Sequence, residues 1–399
     1  MVSSFEAISA PLTFFLPDTV YQTRTLVIYS LASLLFIHLF KNETHKKAFL
    51  IFASILFFIS ASHVICAAFY LLILCLTFFI SNRDFPDKLY YFIFVISLLL
   101  LSPFLIFNLF DINTIFYSFV AYYSIYRIIH YYIETKKNPD FKRTLFDYLF
   151  YTLFFPCLCH GPVERINTLI FKNTTSEDVQ YGIKKILLGL FKINIYFYFL
   201  KELENISLAE VLIVYIKTIN FYLLVTGDWD IIVGTSRLLG LKVRENIPHN
   251  IFLQSSLTKL WRNGNATLID WYFSYFYIPL AKNGKWVNLK LISVFTLILG
   301  MHAFFNTLKF PSLNVICYYV LMGVWFGITL IISKEINNYF KKSEVKKLIS
   351  LWPSFLRDII YGNSMARYMA NFIINFNIIS FGLWYSPFYK LLTNVWRSS

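Results

Sequence analysis

The stretch AFLIFASILFFISASHVICAAFYLLILCLTFFIS, residues 48–81, is apolar along almost its whole length. An α-helix rises about 1.5 Å per residue, so one crossing of a hydrocarbon layer roughly 30 Å thick takes about 20 residues. The stretch is too long for one crossing, and we predict two helices, 48–64 and 65–81, with a tight turn near Ser60–His63. Apolar segments near or above 18 residues recur along the whole chain, and a soluble protein has no core large enough for all of them, which indicates a membrane protein.

The composition of the whole chain agrees with that interpretation. Of its 399 residues 57% are hydrophobic, 20% are aromatic and only 15% are charged. Lipid offers the backbone no hydrogen-bond partner, so segments that cross it must be helical. We predict an all-α polytopic integral membrane protein with about ten transmembrane helices, plus re-entrant and interfacial helices around a central cavity. The predicted spans are 24–40, 48–64, 65–81, 89–110, 113–133, 180–200, 208–226, 287–308, 314–333 and 366–388.

The net charge of +14 does not indicate nucleic-acid binding in this chain. Its basic residues concentrate in short loops between apolar runs, at 41–47, 134–143 and 341–347. Loops of this kind stay on the cytoplasmic side of a membrane and meet anionic lipid headgroups. If 41–47 is cytoplasmic, the N-terminus lies outside.

Three segments fit no simple span. They are 145–161, which ends in a Pro and Cys/His cluster, 226–245, which carries two aspartates, and 256–286, which is half polar. Polar or broken backbone at membrane depth is tolerated only where protein or water surrounds it. We therefore predict that these segments line the central cavity. Without repeats or a linker, residues 1–399 are predicted to form a single domain, with its motif-bearing core at about 145–333.

A possible metal site comes from Cys157, Cys159 and His160. No complementary Cys/His group stands elsewhere in the sequence to complete a tetrahedral site, so we predict no bound metal.

Four motifs, in order, resemble the membrane-bound O-acyltransferase family, and most closely its branch of alginate O-acetylation proteins and D-alanyl-teichoic-acid transferases. They are FFPCLCHGPVER at 154–165, VTGDWDIIVGTSRLLG at 225–240, LWRNGNATLIDWYFSYFYIPL at 260–280 and LILGMHA at 297–303. The resemblance implies an acyl transfer with His302 at the family's histidine.

The chain also departs from that branch. Asn265 stands where the polysaccharide-modifying proteins have a second histidine, and the box around His302 lacks the family's tryptophan and following glycine. Family branches that acylate peptides, proteins and lipids pair an Asn or Asp with one His. The resemblance thus implies an Asn265 and His302 pair, and it leaves the class of acceptor open.

The chemistry assigns roles to this pair. Transfer from a thioester to a hydroxyl needs a base for the hydroxyl proton and stabilisation of the tetrahedral oxyanion. A neutral His302 can act as the base, and the Asn265 amide can bind the carbonyl or orient the imidazole. The alternative for His302 is a buried histidine bonded to a helix carbonyl.

Other polar and aromatic residues are candidate parts of the cavity. Buried aspartates need partners at membrane depth. The predicted partners of Asp228 and Asp230 are arginines. Arg165 either pairs with Glu164 or binds a phosphate of the donor. Tryptophans can line a tunnel or anchor at the interface. The candidates are Trp261, Arg262, Arg165, Asp228, Asp230 and Trp271, and the possible arginine partners are Arg237, Arg244 and Arg262.

The predicted function is transfer of an acyl group other than an aminoacyl group, acetyl or another short one. The donor is a cytoplasmic thioester, acetyl-CoA or an acyl-carrier protein, and no bound cofactor is expected. The acceptor is a hydroxyl of an extracytoplasmic glycan, reached directly or through a second exported acyltransferase, in a bacterial inner membrane. Alternatives are a lipid or protein hydroxyl as acceptor, a transporter, or a non-catalytic relative.

Overall fold

The computed structural model describes most of the chain, and its regular structure within the described residues is helical, apart from one antiparallel bridge between Phe171 and Leu241. The predicted all-α class is confirmed for these residues. The described residues are 24–83, 115–137, 141, 144–158, 161–203, 210–248, 251–254, 256–282, 284, 286–307, 313–361 and 365–380.

The α-helices vary from long apolar rods to single turns. Those of the described residues are α1 Arg24–Ile37, α2 Glu43–Ala61, α3 Val64–Ser81, α4 Ile115–Lys137, α5 Leu145–Leu153, α6 Ser176–Leu203, α7 Glu210–Leu238, α8 Leu257–Asn263, α9 Ala266–Tyr272, α10 Ile278–Ala281, α11 Val287–Thr307, α12 Leu313–Phe340, α13 Ser343–Ile349, α14 Ser354–Tyr361 and α15 Met365–Ser380. A π-helical turn, Phe273–Tyr277, joins α9 to α10, and 3₁₀ turns lie at Phe155–Cys157 and Ile251–Leu253.

Three of the described helices are long and apolar enough to cross a membrane: α2, α3 and the Tyr319–Phe340 part of α12. Shorter apolar helices occupy Arg24–Ile37, Val287–Met301 and Met369–Ser380. The chain is thus a helical membrane protein. The count of about ten spans and the central cavity stay predictions, and the predicted span 89–110 lies outside the described residues.

The predicted hairpin is confirmed. Helix α2 ends at Ala61 and α3 begins at Val64, so only Ser62 and His63 form the turn. The His63 Nδ1 accepts a hydrogen bond of 3.2 Å from the backbone N–H of Ile65, which caps one of the unpaired donors at the start of α3. A polar cap at this point is what divides the long apolar run into two helices.

The predicted end of the span 208–226 is wrong. Helix α7 continues without interruption to Leu238, past both aspartates. The reason is its packing on α6: a Cβ on Gly234 would lie 2.6 Å from the Gly182 carbonyl oxygen, and one on Gly189 would lie 2.6 Å from that of Gly227. These glycines serve close backbone approach between the two helices rather than a turn.

The other two irregular segments contain short helices and turns, and their predicted place around a cavity stays a prediction. After α5 the chain makes the 3₁₀ turn, which has Pro156 at its start, and residues 161–165 have no regular structure. Residues 256–286 form the short helices α8, α9 and α10 with the π turn between the last two.

Two compact units make up the chain. One contains residues 1–198, 223–245 and 305–311, and the other contains residues 199–222, 246–304 and 312–399. The prediction of a single domain stays a prediction. The second unit contains both Asn265 and His302.

Candidate active site

The turn that carries Asn265 has an unusual backbone. Helix α8 ends at Asn263, Gly264 follows, and Asn265 adopts φ 60° and ψ 54° before α9 begins. This left-handed conformation is tolerated by asparagine better than by other residues that carry a Cβ. Its side chain does not cap α9, and its Oδ1 is buried with no hydrogen-bond partner among the described residues. A buried acceptor without a partner costs free energy, which makes this turn a candidate functional site.

Asn246 supports the same turn. Its backbone oxygen accepts a hydrogen bond of 2.8 Å from the Ala266 N–H, and its Oδ1 accepts one of 2.5 Å from the Thr267 hydroxyl. Only 1% of Asn246 is exposed, and its Nδ2 has no partner among the described residues. The sequence analysis missed this residue because it lies outside the four motifs and its partners are some 20 positions away.

Trp261 connects the turn to neighbouring helices. Its ring packs edge-on against Phe295 of α11, at 5.3 Å between centroids, and against Phe326 of α12, at 4.6 Å. The indole Nε1 is buried, and no described residue accepts its proton. Trp261 is therefore packed against the apolar cluster of this unit. Its predicted use, lining a tunnel or anchoring at the interface, stays a prediction.

His302 lies on α11, seven residues after Phe295. Its backbone position is described and its side chain is outside the described residues. Helix α11 itself is firmly placed against α12, because a Cβ on Gly323 would lie 2.6 Å from the Thr296 Cα and one on Gly327 would lie 2.8 Å from the Ile292 Cα. Small residues four apart allow this close contact between two apolar helices.

A buried cluster of apolar side chains surrounds these elements. Asn375 of α15 anchors the loop before α8 by donating hydrogen bonds to the backbone oxygens of Phe252, at 3.0 Å, and Gln254, at 2.9 Å. The amide of Asn263 then donates to the Gln254 Oε1 at 3.0 Å. The cluster comprises Ile251, Phe252, Leu257, Leu260, Leu291, Phe295, Met322, Phe326, Leu330 and Phe376.

The remaining candidates of this unit differ in position. Trp271 is buried, and its ring packs among Tyr272, Tyr275 and Phe276. These contacts make it a packing residue of α9 and the π turn. Arg262 is exposed. Its predicted place in a cavity wall remains untested.

Asp228 and Asp230 lie in the other unit, and both are buried. The predicted arginine partners are wrong for Asp230: its carboxylate accepts from Lys185 at 2.8 Å and from Lys192 at 2.5 Å. Lys185 also binds Glu245 at 2.8 Å. The two lysines lie seven residues apart on α6, so they share the face that meets α7. The sequence analysis missed them because they lie outside the motifs.

Arg237, one of the predicted partners, binds a different aspartate. Arg237 and Lys242 bind Asp178 at 3.1 and 2.8 Å. The hydrogen bond from Lys242, together with those from Thr175 and Arg237, holds the pKa of the Asp178 carboxyl well below its usual range. A depressed carboxyl pKa means that this contribution to stability is present above the unfolded-state pKa and is lost as the pH falls through the depressed pKa.

Glu164 organises the loop that contains Arg165. Its carboxylate accepts hydrogen bonds from the Arg244 N–H at 2.5 Å and from the Thr168 hydroxyl at 2.7 Å, and the Arg244 Nε lies 3.6 Å away. The ion pair that the structure gives Glu164 is therefore with Arg244 rather than with Arg165. A role of Arg165 in binding a donor phosphate stays a prediction.

The Cys/His cluster lies only partly within the described residues. Cys157 is buried, whereas Cys159 and His160 lie outside the described ranges. Nearby, the buried Arg127 donates to the backbone oxygens of Thr152, at 3.1 Å, and Cys157. Among the described residues, no three His, Cys, Asp or Glu side chains are grouped so that they could hold a metal ion.

Comparison with known proteins gives one informative relative. No protein-family model matches the chain. The chain is 26% identical, over 199 residues, to a teichoic acid D-alanyltransferase of Bacillus subtilis (strain 168). The similarity covers 45% of this chain and 46% of the relative, so it spans about half the length of that protein. The chain is therefore a distant relative of a D-alanyltransferase.

Proposed function

We propose that this chain is a membrane-bound transferase that moves an acyl or aminoacyl group from a thioester donor to a hydroxyl of a cell-envelope glycan. The observation that carries the proposal is the buried, unpartnered amide oxygen of Asn265 on its left-handed turn. The distant relationship to a D-alanyltransferase supports the reaction class.

The unpartnered atoms around the turn match the needs of acyl transfer. An amide oxygen is an acceptor, so the Asn265 Oδ1 can hold the N–H of an imidazole and leave the other ring nitrogen free as a base. The Asn246 Nδ2 and the Trp261 Nε1 are donors, which suit a carbonyl oxygen that becomes negative during attack. The site would thus contain one acceptor for the base and two donors for the oxyanion.

Helix α11 supplies the base in this proposal. Positions 295 and 302 are seven apart, about two helical turns, so their backbone positions share one face. Phe295 on that face contacts Trp261. Trp261 precedes Gly264 by three residues and Asn265 by four. The contact supports a pairing of His302 with Asn265, with His302 taking the hydroxyl proton as general base.

The transferred group is proposed as a class. The sequence motifs suggest acetyl or another short acyl group, whereas the relative's name specifies D-alanyl, which is an aminoacyl group. The proposed donor for either group is a thioester on coenzyme A or a carrier protein, so that one site would serve either chemistry. The proposed acceptor is a glycan hydroxyl or an exported acyltransferase that passes the group on, at a bacterial inner membrane.

Transfer of two labels distinguishes these possibilities. Cells that express the full chain are fed labelled acetate or labelled D-alanine, and base-labile ester label is measured in the glycan fraction. We expect one of the two labels to depend on the chain and to vanish with His302→Ala. His45→Ala changes an exposed histidine on α2 and serves as the matched control. If neither label depends on the chain in any fraction, the proposed transfer is wrong.

A second acceptor class has its own support. A single His with an Asn, rather than two His, is the pattern that the resemblance links to acylation of lipids and proteins. The same experiment tests this alternative when the lipid and protein fractions are counted as well. Chain-dependent label in those fractions, with none in the glycan, would move the acceptor to that class.

A further inference from the structure

The segment that follows helix α12, residues 341–352, combines basic and apolar side chains on an exposed turn. The chain leaves α12 at Phe340, forms the short helix α13 and turns again at 350–352 before Pro353. Because Tyr319–Phe340 is long and apolar enough to cross a membrane, the segment directly follows a candidate membrane-spanning helix. We call residues 341–352 the lysine–tryptophan segment.

Large apolar side chains on this segment face outward. Leu351 is 82% exposed, Leu348 is 58% exposed and Trp352 is 42% exposed, whereas Ile349 between them is only 2% exposed. Ile349 therefore attaches the segment to the body of its unit and leaves the other three free to contact a partner. An exposed apolar group of this kind marks an interaction surface.

The backbone N–H groups in the turn that ends the segment are hydrogen-bonded. The N–H groups of Leu351 and Trp352 donate to the oxygens of Leu348 and Ile349 at 3.1 and 3.0 Å, and the Ser350 N–H donates to Lys346 at 2.9 Å. A hydrogen-bonded turn can enter an interfacial layer without stranding its polar groups. Its shape therefore suits a membrane surface.

The charges select the kind of surface. The segment contains four lysines and one glutamate, a net charge of +3 from four minus one, and all four lysines are exposed. Lys342 lies 5.7 Å from the centre of the Tyr339 ring, and Tyr339 is itself exposed. Tyrosine and tryptophan beside basic residues are typical of the boundary between lipid and water. The lysines are Lys341, Lys342, Lys346 and Lys347.

We propose that the lysine–tryptophan segment binds the anionic leaflet of the membrane. Leu348, Leu351 and Trp352 enter the boundary between headgroups and acyl chains, and the four lysines hold anionic headgroups around them. The attraction of the lysines to an anionic surface makes the segment prefer anionic lipids, and the apolar side chains make it insert into the boundary layer. This inference does not depend on the proposed reaction.

Fluorescence quenching tests the proposal on the full chain. The protein is placed in phosphatidylcholine nanodiscs to which phosphatidylglycerol, brominated on its acyl chains, is added in steps. The difference between the wild type and Trp352→Phe isolates the signal of Trp352. A parallel series adds brominated phosphatidylcholine in the same steps. We expect brominated phosphatidylglycerol to quench Trp352 at a lower fraction of added lipid than brominated phosphatidylcholine does.

A matched pair of double variants tests the lysines. In Lys346→Gln with Lys347→Gln, the enrichment of phosphatidylglycerol around Trp352 should fall by about fivefold per lysine removed. Lys172→Gln with Lys259→Gln removes the same charge from exposed positions elsewhere and should leave the enrichment unchanged. Equal quenching by the two lipids, or no quenching of Trp352 by either, would overturn the proposal.

Discussion

Asn246 holds the turn that carries Asn265 through two hydrogen bonds. Its backbone oxygen and side-chain oxygen bind the first two residues of α9, Ala266 and Thr267, directly after Asn265. The left-handed conformation of Asn265 needs such support, because a strained backbone persists only where its surroundings hold it. Asn246 is therefore a positioning residue for Asn265 as well as a possible donor.

A double-mutant cycle tests the positioning role. Asn246→Ala removes the acceptor of the Thr267 hydroxyl, and we expect it to lower the free energy of unfolding by about 1–3 kcal/mol. Thr267→Val removes the other partner. The double variant should be less destabilised than the sum of the single variants, because both remove one hydrogen bond. Thermal unfolding in detergent measures the three, and strictly additive effects would contradict the coupling.

The sequence could identify Asn265 but not its surroundings. Asn265 stands at a motif position, whereas Asn246 and the lysine partners of Asp230 are separated from their partners by about 20 to 45 residues. Helix packing decides which basic side chain pairs with a buried aspartate, and a local sequence pattern does not predict that packing. The charge of Asp230 predicted a partner correctly, and the identity of that partner required the structure.

At the scale of elements, helices α6 and α7 form a pair held by glycines and by ions. The glycines bring the two backbones close, and the two lysines of α6 neutralise Asp230 of α7. A buried pair of this kind is costly to break, because removal of one partner leaves an uncompensated charge. The pair explains why α7 continues beyond residue 226, where the predicted span ends.

Compensating substitutions test this network. Asp230→Asn leaves Lys192 without the carboxylate that it binds, and we expect a loss of about 3 kcal/mol in the free energy of unfolding. Adding Lys192→Met removes the orphaned charge and should recover most of the loss, since Lys185 retains Glu245. Adding Lys242→Met instead removes a lysine that binds Asp178 and should recover nothing. Equal stability of the two double variants would refute the network.

The close packing of α11 against α12 can be tested with glycine substitutions. Gly327→Ala places a Cβ 2.8 Å from the Ile292 Cα, and the strain should lower the free energy of unfolding by about 1–3 kcal/mol. Gly300→Ala on α11 is the control, because its Cβ has no described atom within 4 Å. We expect the control to be neutral or stabilising, by up to about 1 kcal/mol from helix propensity. Denaturation midpoints compare the two, and similar losses would contradict this packing.

For the molecule as a whole, composition predicted the class and the pattern of apolar runs predicted several elements closely. The hairpin of α2 and α3 and the limits of α11 follow from run length and polar interruptions, which are local properties. The division into two compact units and the continuous α7 depend on contacts between distant segments. Local sequence patterns do not predict such contacts.

The proposed transfer reaction depends on His302 as its base, and one measurement tests that role most directly. Membranes that contain the full chain, its His302→Ala variant or its His45→Ala variant are supplied with the labelled thioester donor, and ester-linked label is counted. Loss of a general base should lower the transfer rate by about a hundredfold to ten-thousandfold in His302→Ala. His45→Ala should match the wild type. Equal transfer by the His302→Ala variant, at the same protein level, would contradict the central claim.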